Sequence, residues 1–122
     1  GNGALHTHSW VQGKCLIVDD EGLVRMVVKR RLTKLFPNIQ VLEVASGEEA
    51  LDLIAHDGPN TFALAIVDHY MPSVHRALLG DETIRQMREL GCRASIIGCS
   101  ANDVERAHRA AGADAFVGKP LP

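Results

Sequence analysis

The hydrophobic residues of this chain are grouped into five short apolar runs, separated by longer segments of mixed polarity. Each run is too short for a helix and lacks the helical period. Runs of this kind are typical of strands that are buried on both faces, as in a parallel sheet. The five predicted strands are Cys15 to Val18, Val41 to Val44, Ala63 to Val67, Ala94 to Ile97 and Ala115 to Val117.

The first two segments between the strands are predicted to be helices with one apolar side. Residues 21–36 carry apolar residues at helical spacing until Pro37 stops the pattern. Ser46 and Glu49 form a capping box at the start of the second helix, which ends near Gly58. The apolar stripe predicted for the first helix consists of Leu23, Val24, Val27, Val28, Leu32 and Leu35.

Two further helices complete the alternation. The third lies between Gly80 and Gly91, and the fourth runs from its predicted cap, Asn102, to Ala111. Apolar residues fall on one side of the third helix, at Ile84, Met87 and Leu90. Strands that alternate with helices predict an α/β fold, a doubly wound five-stranded parallel sheet with right-handed crossovers.

The length and composition indicate one domain and exclude several classes of partner. With 122 residues there is room for one core, preceded by an N-terminal arm or leader over residues 1–13. The net charge of -2 offers no basic field for direct nucleic-acid binding, and no apolar run is long enough for membrane insertion. Three cysteines without paired metal spacing predict buried, reduced thiols in a cytoplasmic protein.

Chemically active side chains follow four of the five predicted strands. Asp19 and Asp20 follow the first, Asp68 ends the third, Ser100 follows the fourth and Lys119 comes just after the fifth. Parallel strands bring their carboxyl ends to one edge of the sheet, where open α/β folds bind ligands. Three carboxylates so close together repel one another unless a cation lies among them, and an all-oxygen site suits Mg²⁺. Since the lysine and the serine hydroxyl can bind phosphoryl oxygens, the set predicts an aspartate that becomes phosphorylated.

The residues at these strand ends resemble the signature of the response-regulator receiver domain of two-component phosphorelay systems. The similar motifs are Asp19-Asp20, the run from Asp68 to Pro72, Ser100-Ala101 and Lys119-Pro120, and the resemblance covers about residues 14–122. It implies the flavodoxin-like strand order 2-1-3-4-5. It also implies that Asp68 takes a phosphoryl group from a phosphohistidine on a histidine kinase or a histidine phosphotransfer domain.

The resemblance assigns a role to each remaining site residue. Asp20, Asp68 and the backbone carbonyl of Tyr70 would hold Mg²⁺, with Asp19 acting through water. Ser100 and Lys119 would bind the phosphoryl oxygens, and the Lys119-Pro120 bond is expected to be cis. The expected aromatic switch residue is Phe116, and the two residues expected to modulate loss of the phosphate are Tyr70 and Asn102.

Two departures from the family pattern affect the expected partners. The loop from Ser73 to Leu79 is longer than usual, and the chain ends at Pro122, where the family continues into a fifth helix. The fifth helix is therefore expected to be absent from this chain, leaving an apolar strip that could support a homodimer. The chain is expected to be a single-domain regulator or a piece of a larger protein, such as a hybrid histidine kinase, that signals to a downstream output domain or protein.

Other functions remain open at the level of sequence. A receiver-like interaction module that works without phosphorylation would share the fold. A phosphatase of the haloacid dehalogenase type also uses an aspartate and Mg²⁺, but its nucleophile lies on the first strand in an Asp-x-Asp motif. A flavodoxin would need a phosphate-binding loop that the first turn lacks. Whether the chain counts as an enzyme also stays open, although a phosphoacceptor domain is favoured.

Overall fold

The computed structural model describes residues 13–69 and 78–120, which form five strands and four helices in strict alternation. Their boundaries agree with the predicted elements to within a few residues. In chain order they are β1 (Lys14–Val18), α1 (Gly22–Leu35), β2 (Gln40–Val44), α2 (Gly47–Asp57), β3 (Leu64–Asp68), α3 (Gly80–Glu89), β4 (Ser95–Ser100), α4 (Glu105–Ala111) and β5 (Ala115–Gly118).

All five strands are parallel and lie in the order β2-β1-β3-β4-β5, which confirms the predicted topology. In the central strand Val67 is opposite Val18 of β1 and Gly98 of β4, and Asp68 is opposite Cys99. The strand pairs therefore end nearly level with one another, and the residues that follow them lie along one edge of the sheet.

Helices pack on both faces of the sheet, and its three middle strands, β1, β3 and β4, are mainly apolar and buried. Alternate residues of β1 belong to different cores: Leu16 and Val18 face a core shared with α2, α3 and the end of α4. Cys15 and Ile17 face a smaller core formed with α1. The three cysteines are free and buried, as predicted, and burial raises the pKa of Cys15 to about 12.

Local capping explains where α2 begins but not where α4 begins. The Ser46 hydroxyl accepts a hydrogen bond from the Glu49 N–H at 3.1 Å, which confirms the predicted cap of α2. The Glu49 carboxylate accepts from the Ala45 N–H at 2.7 Å, one residue before the cap. The predicted cap of α4 is wrong, because this helix begins at Glu105 after Val104 and no side chain caps it.

Two predicted apolar sides are only partly buried. In α1, Val28 and Leu32 are buried, but Leu23 is 70% and Leu35 is 71% exposed. Leu23 lies on a helical row beside the one that packs on the sheet, so the sheet does not reach it. Leu90, the residue that ends α3, is 45% exposed.

Within the described residues, no helix combines the length and the apolar character that crossing a bilayer requires.

Candidate functional site

Three of the predicted site residues form a buried ion cluster at the carboxyl edge of the sheet. The Lys119 Nζ lies 2.9 Å from the Asp19 Oδ2 and 3.0 Å from the Asp68 Oδ1. The side chains are 15%, 5% and 7% exposed, respectively. One ammonium group thus bridges the residues that follow β1 and β3, as the positions at the strand ends predicted.

Backbone contacts hold Asp19 in this cluster. Its N–H donates to the carbonyl of Val44 at 3.1 Å, which extends the pairing of β1 with β2 by one residue. Its Oδ1 accepts a hydrogen bond from the Glu21 N–H at 2.9 Å, and its carbonyl accepts one from Arg25 at 2.6 Å. Both carboxylate oxygens of Asp19 are therefore engaged, one by a backbone amide and one by Lys119.

The proton affinities of the cluster follow from burial and like charge. Burial raises the pKa of Asp68, the hydrogen bond from Lys119 opposes the rise and the charge of Asp19 adds to it. The pKa of Asp20 is also raised, first by burial and then by the charges of Asp19 and Glu21. Burial by itself would lower the pKa of Lys119, but its hydrogen bonds to the two carboxylates raise it overall.

The acidic residues after β1 form a donor set that fits a hard divalent cation. Asp19, Asp20 and Glu21 can each offer a carboxylate oxygen, and these atoms lie within 4.8 Å of one another. Carboxylate oxygen is the ligand that Mg²⁺ prefers, and a cation there would offset the burial and the like charge that together raise the pKa of Asp20. Glu21 was not among the predicted ligands. It extends the acidic group of the first turn.

The hydroxyl of Ser100 is buried at the end of β4, with the residue 2% exposed. Its Oγ accepts a hydrogen bond from the Asn102 N–H at 3.1 Å, while its carbonyl accepts one from the Lys119 N–H at 2.9 Å. The second bond extends the pairing of β4 with β5 and places Lys119 beside Asp19 and Asp68. The Lys119-Pro120 bond is cis, as expected.

Gly80 lets α3 begin against the end of the central strand, β3. Its N–H donates to the carbonyl of His69 at 2.8 Å. A Cβ at this position would lie 2.3 Å from the carbonyl oxygen of Asp68 and 2.7 Å from the Cα of His69. Only glycine permits this approach, whereas the sequence marked Gly80 merely as the start of a helix.

Sequence reasoning missed a second polar cluster on the other side of β3. His69 follows Asp68 directly, and its Nδ1 lies 2.9 Å from the Nε2 of His108 on α4. The two residues are 4% and 0% exposed. The ring of His108 meets Phe116 edge-on, with centroids 5.4 Å apart. The signals that could have indicated it are a glycine in the apolar β4 and a histidine on the inner side of α4.

The remaining predicted site residues are Asn102, Phe116 and Tyr70. Asn102 is exposed. It donates to the Ser100 hydroxyl through its backbone N–H rather than through its side-chain amide. Phe116 is half-buried beside His108. Tyr70, predicted to supply a carbonyl and to shield the site, lies outside the described residues, as does most of the long loop that follows it.

A shallow groove of about 430 Å³ borders the ion cluster on the α1 side of the sheet. Leu23, Val24 and Val27 of α1 form one wall, and Lys119 and Pro120 form the other. The exposed apolar side chains of α1 therefore reach the entrance of the site.

Comparison with known proteins agrees with this geometry. A family model described as the response regulator receiver domain matches residues 15–122. Response regulator MprA of Mycolicibacterium vanbaalenii is 36% identical over 109 residues, which cover 89% of this chain and 43% of that protein. Response regulator MprA of Mycobacterium avium is 35% identical with the same coverage. The chain thus spans less than half the length of these curated relatives.

Solved structures show the same architecture. The receiver domain of the histidine kinase CKI1 from Arabidopsis thaliana, complexed with Mg²⁺ and BeF₃⁻, superposes with a TM-score of 0.72 at 28% identity. The match covers 93% of this chain and 85% of that chain. The chemotaxis protein CheY4 of Vibrio cholerae gives a TM-score of 0.75 at 24% identity over 91% and 89%, which supports the fold.

Proposed function

Because the chain belongs to the response regulator receiver domain family, we propose that Asp68 accepts a phosphoryl group from a phosphohistidine. Membership of this family assigns the chain to two-component phosphorelay signalling and decides against the phosphatase and flavodoxin alternatives. The observation that carries the assignment of Asp68 is the ion cluster: Asp68 ends the central strand, with its carboxylate paired to Lys119 and close to a second carboxylate.

The proposed transfer is a displacement at phosphorus. A carboxylate oxygen of Asp68 bonds to phosphorus while the bond from phosphorus to the donor histidine nitrogen breaks, and the imidazole leaves. Lys119 then exchanges part of its pairing with carboxylates for pairing with phosphoryl oxygens, and the Ser100 hydroxyl can donate to another. The chain would be a stoichiometric phosphoacceptor, not a turnover enzyme.

Asp20, Asp68 and the carbonyl of Tyr70 would hold Mg²⁺, which would offset the negative charge that gathers there on phosphorylation. Asp19 would act through water, since both of its oxygens already accept hydrogen bonds. We therefore expect Asp20→Ala to weaken Mg²⁺ binding more than Asp19→Ala, with titration calorimetry as the measurement. Equal losses for the two variants would contradict this division of roles.

The groove beside α1 is the proposed docking site for the histidine-bearing donor. It opens at Lys119, and a donor side chain must approach Asp68 from this edge of the sheet. Its apolar wall suits the side of a donor helix. We place the exchange in the cytoplasm, where buried thiols such as Cys15 stay reduced.

A matched pair of substitutions on α1 tests the docking site. Leu23 and Leu35 are almost equally exposed, but Leu35 lies about 18 Å further along the helix. Leu23→Asp should slow transfer from a phosphorylated histidine phosphotransfer domain roughly tenfold or more, while Leu35→Asp should not. Phosphorylation by acetyl phosphate should be unchanged in both. A loss of self-association in light scattering, without slower transfer, would instead assign the groove to a homodimer.

Two residues are proposed to set the lifetime of the phosphorylated state. Tyr70 would crowd the approach of water to phosphorus, and Asn102 is exposed beside Ser100, where its amide can hold a water but cannot act as a base. Tyr70→Ala should therefore speed loss of phosphate. An unchanged decay rate would show that Tyr70 is only part of the rim.

The proposed function is tested by incubating the protein with acetyl phosphate and Mg²⁺ and measuring its intact mass. The unaltered chain should gain one phosphoryl group, and a chelator should prevent the gain. Asp68→Asn should gain none. A chain that folds but takes no phosphoryl group would be a phosphorylation-independent interaction module.

Signal output is proposed to leave through Ser100 and Phe116 toward the surface formed by α4 and β5, which a downstream output domain or protein would contact. Phosphorylation would draw the Ser100 hydroxyl toward the phosphoryl oxygens, and Phe116 would respond. The structure adds a neighbour to this route, because the ring that meets Phe116 belongs to His108.

A further inference from the structure

The His69–His108 pair joins the residue after the phosphoacceptor to the helix at the proposed output surface. The two rings belong to residues 39 positions apart, and their nitrogens lie 2.9 Å from each other in the interior. This hydrogen bond directly connects side chains of the β3 end and α4. It is separate from the Ser100 hydroxyl, which bonds to the backbone of Asn102.

The position of the shared proton can be inferred from the surroundings of His108. Its Nδ1 is buried and has no hydrogen-bond partner among residues 13–69 and 78–120. Buried N–H groups without an acceptor are rarer than unpaired acceptors, so the proton is placed on Nε2. His108 therefore donates to the Nδ1 of His69, which also lies 3.8 Å from the Oδ1 of Asp81, beyond hydrogen-bond distance. Burial and the neighbouring His69 lower the pKa of His108 to about 4, so the ring is neutral at pH 7.

The neutral pair occupies space that β4 leaves open. A Cβ on Gly98 would lie 2.0 Å from the Nδ1 of His108 and 2.8 Å from its Cγ. The ring is thus packed against the backbone of β4 on one side and against Phe116 on another. A metal ion does not fit between the two nitrogens, because at 2.9 Å they already share a proton.

The main chain of His69 is tied to the site from both of its ends. Its N–H belongs to the peptide that joins it to Asp68, the last residue of β3, and its carbonyl accepts a hydrogen bond from the N–H of Gly80. A shift of His69 therefore moves the backbone that carries the Asp68 carboxylate. The side chain transfers the same shift to His108.

We propose, on the basis of the proposed function, that His108 is a positioning residue: its hydrogen bond to His69 couples the carboxylate of Asp68 to α4. Phosphorylation moves α4 through this bond in addition to the route through Ser100. Coupling between two sites is reciprocal, so a partner that binds the α4 surface also changes the affinity of the site for a phosphoryl group.

Packing alone does not require the pair. Replacing both partners of a buried hydrogen bond by apolar groups of similar shape is often nearly neutral for stability. The double variant His69→Leu/His108→Leu should therefore fold while lacking the hydrogen bond. His108→Gln is the matched control, because the glutamine amide nitrogen can occupy the place of Nε2 and donate to His69.

The experiment compares amide chemical shifts of the unaltered chain and both variants, with and without beryllofluoride and Mg²⁺. Urea denaturation of each protein first verifies that it is folded. In the unaltered chain, shifts should change both around Asp68 and in α4. In the double leucine variant the changes in α4 should shrink roughly twofold or more, while those around Asp68 persist. His108→Gln should restore the response of α4.

Each outcome bears on one of the two proposals. If the unaltered chain does not respond to beryllofluoride, the proposed function is wrong and this coupling falls with it. If the unaltered chain responds and the double leucine variant responds equally in α4, the function stands and the coupling is wrong. A loss in both the leucine and the glutamine variants would also overturn it, because the donor, not the ring shape, is what the coupling requires.

Discussion

Asp68 and His69 are neighbours in sequence and both are buried, yet their polar side chains are paired in opposite ways. Asp68 stays within a charged cluster, where Lys119 offsets two carboxylates. His69 is hydrogen-bonded to His108, whose ring is uncharged at pH 7, and the two residues are called the neutral pair after that ring. The charged cluster can exchange partners when a cation or a phosphoryl group arrives, whereas the neutral pair keeps its partner. Under the two proposals, one end of β3 therefore contains a residue that reacts, Asp68, and a residue that transmits the change, His69.

The two clusters also depend on different backbone features. The charged cluster requires the strand ends to meet at one edge, which any parallel sheet of this order provides. The neutral pair requires two glycines, one at the start of α3 and one inside β4, where side chains would otherwise collide. Substitution of the glycine at the start of α3 should disturb both clusters, whereas substitution of the glycine inside β4 should disturb the neutral pair alone.

The largest effect is expected for Gly80→Ala. Alanine usually stabilises a helix relative to glycine, but here its Cβ would strike the backbone of Asp68 and His69. We expect a loss of about 3 kcal/mol in the free energy of unfolding, measured by urea denaturation. Both clusters should be disturbed, because this backbone carries both. A stabilised variant would show that α3 can move away from β3 at little cost.

The next largest effect is the loss of folding stability at low pH that His108 causes. The folded pKa of His108 is lowered from 6.5 to about 4, so its contribution to stability is fully present above pH 6.5 and is lost as the pH falls toward 4. Asp81, which opposes this lowering, and His69, which adds to it, are the other groups facing the ring. At about 1.36 kcal/mol per unit, the upper limit of this loss is about 3 kcal/mol.

A comparison with the double leucine variant separates the effect of the histidine pair on stability from the effects of the other titrating groups. Asp68 has a raised folded pKa, so protonating it as the pH falls favours the folded state, the opposite sign. The unaltered chain and His69→Leu/His108→Leu should therefore be compared by urea denaturation across this range. The difference between them should shrink or reverse at low pH. A constant difference would contradict the lowered pKa of His108.

Gly98→Ala should break the neutral pair alone. The new Cβ would displace the ring of His108, at a cost of about 2 kcal/mol. Combining it with His108→Ala removes the clash, so the double variant should lose less stability than the sum of the single changes. Thermal denaturation of the four proteins completes the cycle. Additive losses would mean that Gly98 and His108 do not compete for the same space.

The smallest effect is a gain in stability. Asp68→Asn removes a carboxylate whose raised pKa shows that burial and repulsion outweigh its bond to Lys119. Without Mg²⁺ this variant should be more stable by on the order of 1 kcal/mol, because Lys119 keeps its bond to Asp19. A less stable variant would show that the ion pair outweighs the cost of burial.

The sequence predicted the charged cluster far better than the neutral one, for a physical reason. Asp19, Asp68 and Lys119 follow strands, and the topology of a parallel sheet brings strand ends together whatever the details of packing. The contact between His69 and His108 depends on how α4 packs on β4, which no short motif encodes. The same limitation explains the error over Asn102, because the start of α4 is set by packing against the sheet, not by a cap.

The proposed function rests most directly on where the phosphoryl group is attached. Sodium borohydride reduces an aspartyl phosphate to homoserine, which marks the modified residue in a peptide mass spectrum. After reaction with acetyl phosphate and Mg²⁺, homoserine should be found at position 68 and at neither position 19 nor position 20. Homoserine at one of the other two aspartates, or at none of the three, would contradict the assignment of Asp68 as the phosphoacceptor.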